Sequence, residues 1–144
     1  MRTTATLDLA VRLRLAITRT SRRLRQEAGP ELSPTLTSAL ATVDRHGPLT
    51  PSELAARERV QRPTATRLVA RLEGLGVLQR AADPLDRRSS LLSVTPEGHA
   101  LMEELRGRKT AYLAHRLEGL DPGERATLDD AAAILERLLE DDRA

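Results

Sequence analysis

The chain has no cysteine, no phenylalanine and no tryptophan, and Tyr112 is its one aromatic residue in 144. Without a thiol it can form no disulfide, offers no sulfur nucleophile and cannot sense oxidants through cysteine chemistry. Lys109 is the single lysine, so nearly all of the positive charge is guanidinium. The three histidines, His46, His99 and His115, stand far apart, and no two have a metal-binding spacing such as His-x-x-x-His. No Gly-rich phosphate loop or nucleophile elbow is present. Glu103-Glu104 and Asp129-Asp130 are adjacent pairs, which diverge on a helix and cannot form a catalytic dyad. The reading therefore assigns no catalytic residues, no metal site and no cofactor. No apolar run reaches the roughly 18 residues of a membrane span. Met1 to Ala10 lacks the basic-then-apolar order of a signal peptide, and the expectation is a cytoplasmic chain.

What is present suits a soluble, mainly helical protein: 40% hydrophobic and 31% charged residues. A chain of 144 residues can bury its own core as one domain. The net charge of +2 hides an uneven distribution. Residues 118 to 144 carry nine acids against Arg125, Arg137 and Arg143, leaving 20 bases and 12 acids in residues 1 to 117. A basic body with an acidic tail suits a polyanion, because each neutralised phosphate releases counterions. The guanidinium fork fits phosphates and guanine edges, although a GC-rich genome produces the same arginine bias.

The stretch Thr50 to Thr95 organises the rest. Before it, Leu9, Leu13, Ala16, Ile17, Thr20 and Leu24 recur at helical spacing and predict a helix over Leu7 to Ala28 with one buried stripe. Arg12, Arg19, Arg22 and Arg23 lie opposite, and Gly29-Pro30 ends it. Ser33-Pro34 opens a second helix reaching His46. Thr50-Pro51-Ser52-Glu53 reads as a capping box starting a short helix to Glu58, with Thr50 capping the Glu53 amide and Glu53 reaching back to the Thr50 amide. After the turn Arg59-Val60-Gln61, a helix from Arg62 to Leu75 should bury Ala65, Leu68, Val69, Leu72 and Leu75. Its other face carries Arg62, Thr64, Thr66, Arg67 and Arg71, short hydroxyls and guanidiniums of the kind a major groove accepts.

Val77 to Arg80 and Leu91 to Thr95 read as two strands joined by a charged loop, Ala82 to Ser90, longer than a two-residue hairpin. Pro96-Glu97 then begins a helix reaching Gly119, its apolar side formed by Leu101, Leu105, Tyr112, Leu113 and Leu117. Asp121-Pro122 opens the last helix, expected to bury Leu128, Ala131, Ile134, Leu135, Leu138 and Leu139. Helix, helix, strand, charged hairpin, strand is the order of a winged helix. Long apolar-striped helices at both ends exceed what one such module can cover and predict a homodimer.

Over nearly its whole length the chain resembles the MarR (multiple antibiotic resistance regulator) family of winged-helix transcription factors. The most specific segments are Arg62-Pro63-Thr64-Ala65-Thr66-Arg67-Leu68-Val69-Ala70-Arg71-Leu72-Glu73, Gly76 to Arg80, Asp83-Pro84-Leu85-Asp86-Arg87-Arg88 and Leu92 to Gly98. The resemblance implies a mainly α fold with a small β-hairpin wing, residues 33–98 forming the DNA-binding unit and 1–30 and 100–144 the dimerisation helices. It implies a repressor that binds a pseudo-palindromic operator as a homodimer, with a recognition helix in each of two successive major grooves. Gln61, Arg62, Thr64, Thr66, Arg67 and Arg71 would contact bases and phosphates. In the wing, Asp86 would orient the Arg88 guanidinium toward the minor groove, where a narrow groove concentrates negative potential, and Arg87 would touch phosphate.

Two departures from the family pattern matter. Gln61 replaces a small hydroxyl residue at the start of the recognition helix. The missing aromatics argue against an aromatic effector, so a pocket for any small-molecule effector is expected to be lined by aliphatic groups and arginines, with His46, His99 or His115. The competing reading is a winged helix that binds protein, which would display apolar or aromatic anchors on the face that here carries threonines and arginines.

Overall fold

The computed structural model describes residues 3–141, so Met1, Arg2 and residues 142–144 of the expected terminal segments lie outside the described residues. Six helices and one hairpin follow in order: α1 (Thr4–Ala28), α2 (Pro34–His46), α3 (Pro51–Glu58), α4 (Arg62–Gly74), β1 (Leu78–Asp83), β2 (Asp86–Val94), α5 (Pro96–Glu118) and α6 (Pro122–Asp141). The fold is mainly α with a β-hairpin wing, as the residue pattern predicts.

Most helix starts are written locally. Thr3, Ser33, Thr50 and Thr95 each accept a bond from the amide three residues on, and in the last three a proline follows at the first turn. The Thr3 cap moves the start of α1 to Thr4, ahead of Leu7. At Thr50 only half of the expected box forms. The Glu53 amide donates to Thr50 Oγ1 at 3.1 Å, but the Glu53 carboxylate accepts from that same hydroxyl at 3.1 Å, not from the Thr50 amide. A complete reciprocal pair forms instead at α6, where Glu124 N–H donates to Asp121 Oδ1 at 2.8 Å and Asp121 N–H to Glu124 Oε1 at 3.4 Å.

The core lies under the central unit. Leu40, Leu54, Leu72 and Leu92 are fully enclosed, contributed by α2, α3, α4 and β2 in turn, with Val43 and Val69 between them. Leu49, in the α2–α3 link, exchanges backbone bonds with Leu92 (3.1 and 2.6 Å), which fastens the helical half to the wing. Met102 and Leu105 bring the first half of α5 into the same core.

Three expectations are corrected. Leu75 is 44% exposed, because α4 stops at Gly74 and Gly76 (φ 75) turns the chain away. The stripes of α1 and α6 are not buried. Leu9, Leu13 and Ile17 are 54%, 38% and 49% exposed, and no residue of α6 is buried. Among the described residues the core of the central unit takes in only Ala28 of α1 and, on α5, ends at Leu105, so these stripes stay open within the chain. The third correction concerns the hairpin, whose strands are far longer than expected. Leu78 to Ala82 pair with Val94 to Ser90, a bulge intervenes, and Asp83 pairs with Asp86 across a turn of only Pro84-Leu85. The charged residues of the expected loop are therefore strand. Both faces of the outer wing are in water, so no apolar alternation marks them.

Candidate nucleic-acid interface

The turn that links α3 to α4 is built by the chain itself. Glu58, at the end of α3, accepts from Ser38 Oγ at 2.7 Å and from the Thr42 hydroxyl, both on α2, so the end of α3 is pinned from the inside. Val60 and Gln61 then lead directly into α4, where Gln61 supplies no side-chain cap, as its replacement of a hydroxyl residue predicts.

Along α4, burial and exposure separate cleanly. Ala65, Val69 and Leu72 are buried, while Arg62, Thr66, Arg67 and Arg71 are exposed and Thr64 is half-buried. Thr66 donates its hydroxyl proton to the Arg62 carbonyl at 3.0 Å, leaving its lone pairs outward, so it can act as an acceptor without breaking that bond. Arg67 Nη2 rests 3.4 Å from Thr64 Oγ1, a weak tether that a phosphate or guanine edge can displace. At the other end of α4, Glu73 receives Arg80 through two nitrogens, Nη2 at 2.5 Å and Nε at 3.2 Å, joining α4 to β1.

The wing tip is ordered by its two aspartates. Asp83 Oδ1 accepts the Leu85 amide and Asp86 Oδ1 the Arg88 amide, each at 2.9 Å. Through the second bond Asp86 holds the backbone at Arg88. A carboxylate two residues before an amide forms this local turn readily, and it leaves the Arg87 and Arg88 side chains exposed. Leu85 caps the turn almost wholly in solvent, at 96% exposure.

Several determinants of this arrangement escaped the residue pattern. Thr95 is buried; it caps α5 through the Gly98 amide at 2.9 Å and donates to the Gly76 carbonyl at 2.7 Å, so one hydroxyl joins α4, the wing and α5. Gly98 is required there, because a Cβ would overlap the Val77 carbonyl oxygen and come within 2.7 Å of Val94 Cγ1. Arg108 of α5 bonds the Ala28 carbonyl at 2.7 Å, Glu31 at 2.6 Å and Glu104 at 2.6 Å, clamping the end of α1. The Arg108 hydrogen bond holds the Glu31 carboxyl below the ordinary glutamate range. The Thr-Pro-Glu-Gly run was a legible signal for Thr95; Ala28 and Glu31, the partners through which Arg108 clamps α1, are about 80 residues away in sequence and left none.

Beside that clamp, a cleft of about 440 Å³ opens between the end of α1, the start of α2 and α5. Arg22, Arg25 and Lys109 stand at its wall with Leu32, Pro34 and Leu105. The lining is aliphatic and cationic and includes no histidine; His99 faces Asp44 at 3.2 Å and His115 lies near Glu118 at 3.7 Å. Among the described residues no three His, Cys, Asp or Glu side chains gather as metal ligands, and no helix is long and apolar enough to cross a membrane.

A supported helix pair, an outward polar α4 and a rigid two-stranded wing define a winged helix-turn-helix module carried between long terminal helices. The profile of the MarR family matches residues 32–90, from just before α2 through most of the wing. An HTH-type transcriptional regulator of Mycobacterium bovis is 39% identical over 134 residues, 92% of this chain and 94% of that protein. The HTH-type transcriptional repressor MdtR of Bacillus subtilis is 32% identical over 111 residues, 77% of this chain and 72% of its own. A crystal structure of a Pseudomonas aeruginosa PA01 protein classed with the transcriptional regulators superposes with a TM-score of 0.84 at 36% identity, covering 96% of this chain and 98% of that one. The chain belongs to the MarR family of winged helix-turn-helix transcriptional regulators.

Proposed function

We propose that the protein represses transcription by binding a pseudo-palindromic operator in double-stranded DNA as a homodimer. The observation that carries this is the division of α4: three buried aliphatic residues hold the helix, and Arg62, Thr66, Arg67 and Arg71 are each exposed along the rest of its surface. That face offers hydrogen-bond donors and acceptors but no apolar anchor, which favours a groove over a protein surface. In this reading Thr64, Thr66 and Arg67 read bases, Gln61, Arg62, Arg71 and Arg87 engage the backbone at the groove edges, and Arg88, on a turn fixed by Asp86, enters the minor groove. The repressor sense is supported by the resemblance to MdtR.

The dimer is supported by surface area. The chain exposes 10844 Å², whereas a folded monomer of 15.8 kDa exposes about 7,300 Å². The excess, about 3,500 Å² on each chain, more than covers one protomer's share of an obligate homodimer interface, about 1,000 to 2,500 Å², and the exposed leucines and isoleucines of α1 and α6 contribute to it. Two-fold symmetry then calls for half-sites about 34 Å apart. The cationic cleft beside Arg108 would take a small anionic effector of aliphatic character, able to release DNA only if it prefers one separation of the two α4 helices.

Footprinting and gel shift on the DNA flanking the protein's own gene test the reading. Arg67→Ala is expected to cost about 1 to 3 kcal/mol on the operator and relax base preference, and Arg87→Ala to weaken all sequences alike. Unchanged binding by both variants would refute the assignment of the recognition surface.

A further inference from the structure

The turn between α3 and α4 places an arginine where the backbone favours glycine. Val60 N–H bonds the Ala55 carbonyl at 3.1 Å and Arg59 N–H the Ala56 carbonyl at 3.3 Å, a paired helix closure that needs a left-handed residue at its centre. Arg59 is that residue, with φ 55 and ψ 44. Helix α4 ends in the same closure, Val77 N–H to Leu72 at 3.1 Å and Gly76 N–H to Glu73 at 2.9 Å, and there glycine holds the left-handed position at φ 75. A residue with a Cβ pays conformational energy at such a site that glycine does not.

Nothing in the fold compensates. The Arg59 side chain is exposed and enters no hydrogen bond or ion pair among the described residues, nor does the exposed Arg57 beside it. Glu58, between them, is the residue engaged with α2. The turn is thus pinned inward by a carboxylate and carries free guanidiniums on either side, two residues before Gln61 opens α4.

We infer that Arg59 grips a DNA backbone phosphate at the lip of the major groove, one per half-site, and that its left-handed conformation is retained to present the guanidinium there. The inference rests on the reading of α4 as the DNA-facing helix. A guanidinium fork fits a phosphate through two hydrogen bonds, and a phosphate contact positions the protein without reading sequence.

Arg59→Gly tests this, because it relieves the backbone while removing the charge. Fluorescence anisotropy would follow binding to the footprinted operator duplex and to an unrelated duplex of equal length between 50 and 200 mM salt, alongside thermal melting. The expected result is a variant that melts within a degree or two of wild type or above it, yet binds both duplexes about tenfold more weakly. Its slope of log affinity against log salt should fall by about two per dimer, since each lost phosphate contact removes about 0.9. Arg59→Lys should keep most of that slope. Wild-type affinity and slope in Arg59→Gly overturn the inference alone, as does a loss confined to the operator, which would mark a base contact. Failure of the wild-type chain to bind either duplex overturns the α4 reading, and Arg59 falls with it.

Discussion

Thr95 joins three elements through one side chain, and its removal should be felt by all of them. Its hydroxyl donates to the Gly76 carbonyl at 2.7 Å and accepts from the Gly98 amide at 2.9 Å, with 8% of the residue exposed. Thr95→Val keeps the β-branched shape and the Thr95 backbone bond to Val77 but deletes both hydroxyl bonds. Losing the helix cap costs about 1 kcal/mol, and leaving the part-buried carbonyl unpaired about 1 to 3 kcal/mol. The expected destabilisation is therefore about 2 to 4 kcal/mol, or roughly 6 to 12 °C in Tm for a chain of this size. Thr95→Ser keeps both bonds and loses a methyl group, about 1 kcal/mol. Urea unfolding at one fixed protein concentration separates the two, since the proposed dimer would make stability depend on concentration. If Thr95→Val unfolds within about 0.5 kcal/mol of wild type, or if Ser and Val variants are equal, the hydroxyl is not the link described.

Other substitutions probe different parts of the frame. Gly76→Ala meets no atom within 4 Å and should cost about 1 kcal/mol for its positive φ alone, whereas Gly98→Ala collides with the Val77 backbone and should cost about 3 kcal/mol or more; denaturant midpoints rank the pair, and equal effects would contradict the packing at Gly98. Because Arg108 holds the Glu31 carboxyl below its ordinary range, folding favours the ionised form, so this stabilisation is complete above the unfolded-state glutamate pKa and fades as pH falls through the lower folded value. Glu31→Gln should therefore lose less stability than wild type across that acid window, and parallel melts in neutral and acidic buffer would reveal no such difference if the ion pair contributes nothing. Leu13→Asp with Ile17→Asp puts charges on the open stripe of α1, where burial against a second chain would be costly. Sedimentation at micromolar concentration should show monomer for this variant and dimer for wild type; a monomeric wild type would remove the homodimer from the proposal.

The helix starts were legible because their signals are local. A hydroxyl residue followed by proline satisfies orphan amides within four residues, wherever the rest of the chain goes, and Ser33, Thr50 and Thr95 all behave in this way. The buried side of α4 was equally readable at Ala65, Val69 and Leu72. The wing was misjudged because strand pairing there depends on backbone bonds between residues whose side chains all face water, so Ala82 to Ser90 carried turn chemistry but no period of two. Asp86 shows a related limit: an aspartate can reach a nearby amide or a nearby guanidinium, and only the bend of the strand brings the Arg88 amide to its Oδ1.

By itself, then, the sequence determined which stretches are helical, which face of each is apolar, and that the face from Arg62 to Arg71 is polar and cationic; these follow from spacing and from short-range hydrogen bonding. Tertiary structure alone decided which apolar faces are covered. The stripes of α2, α3 and α4 meet around Leu40, Leu54 and Leu72, while the equally periodic stripes of α1 and α6 stay open within the chain. Periodicity reports that a face can be buried, whereas its neighbour is set by the path of the whole backbone. The same holds for the Thr50 to Thr95 unit: its helices were legible residue by residue, but the Thr95 bridge and the Glu58 anchor exist only because distant segments come together there.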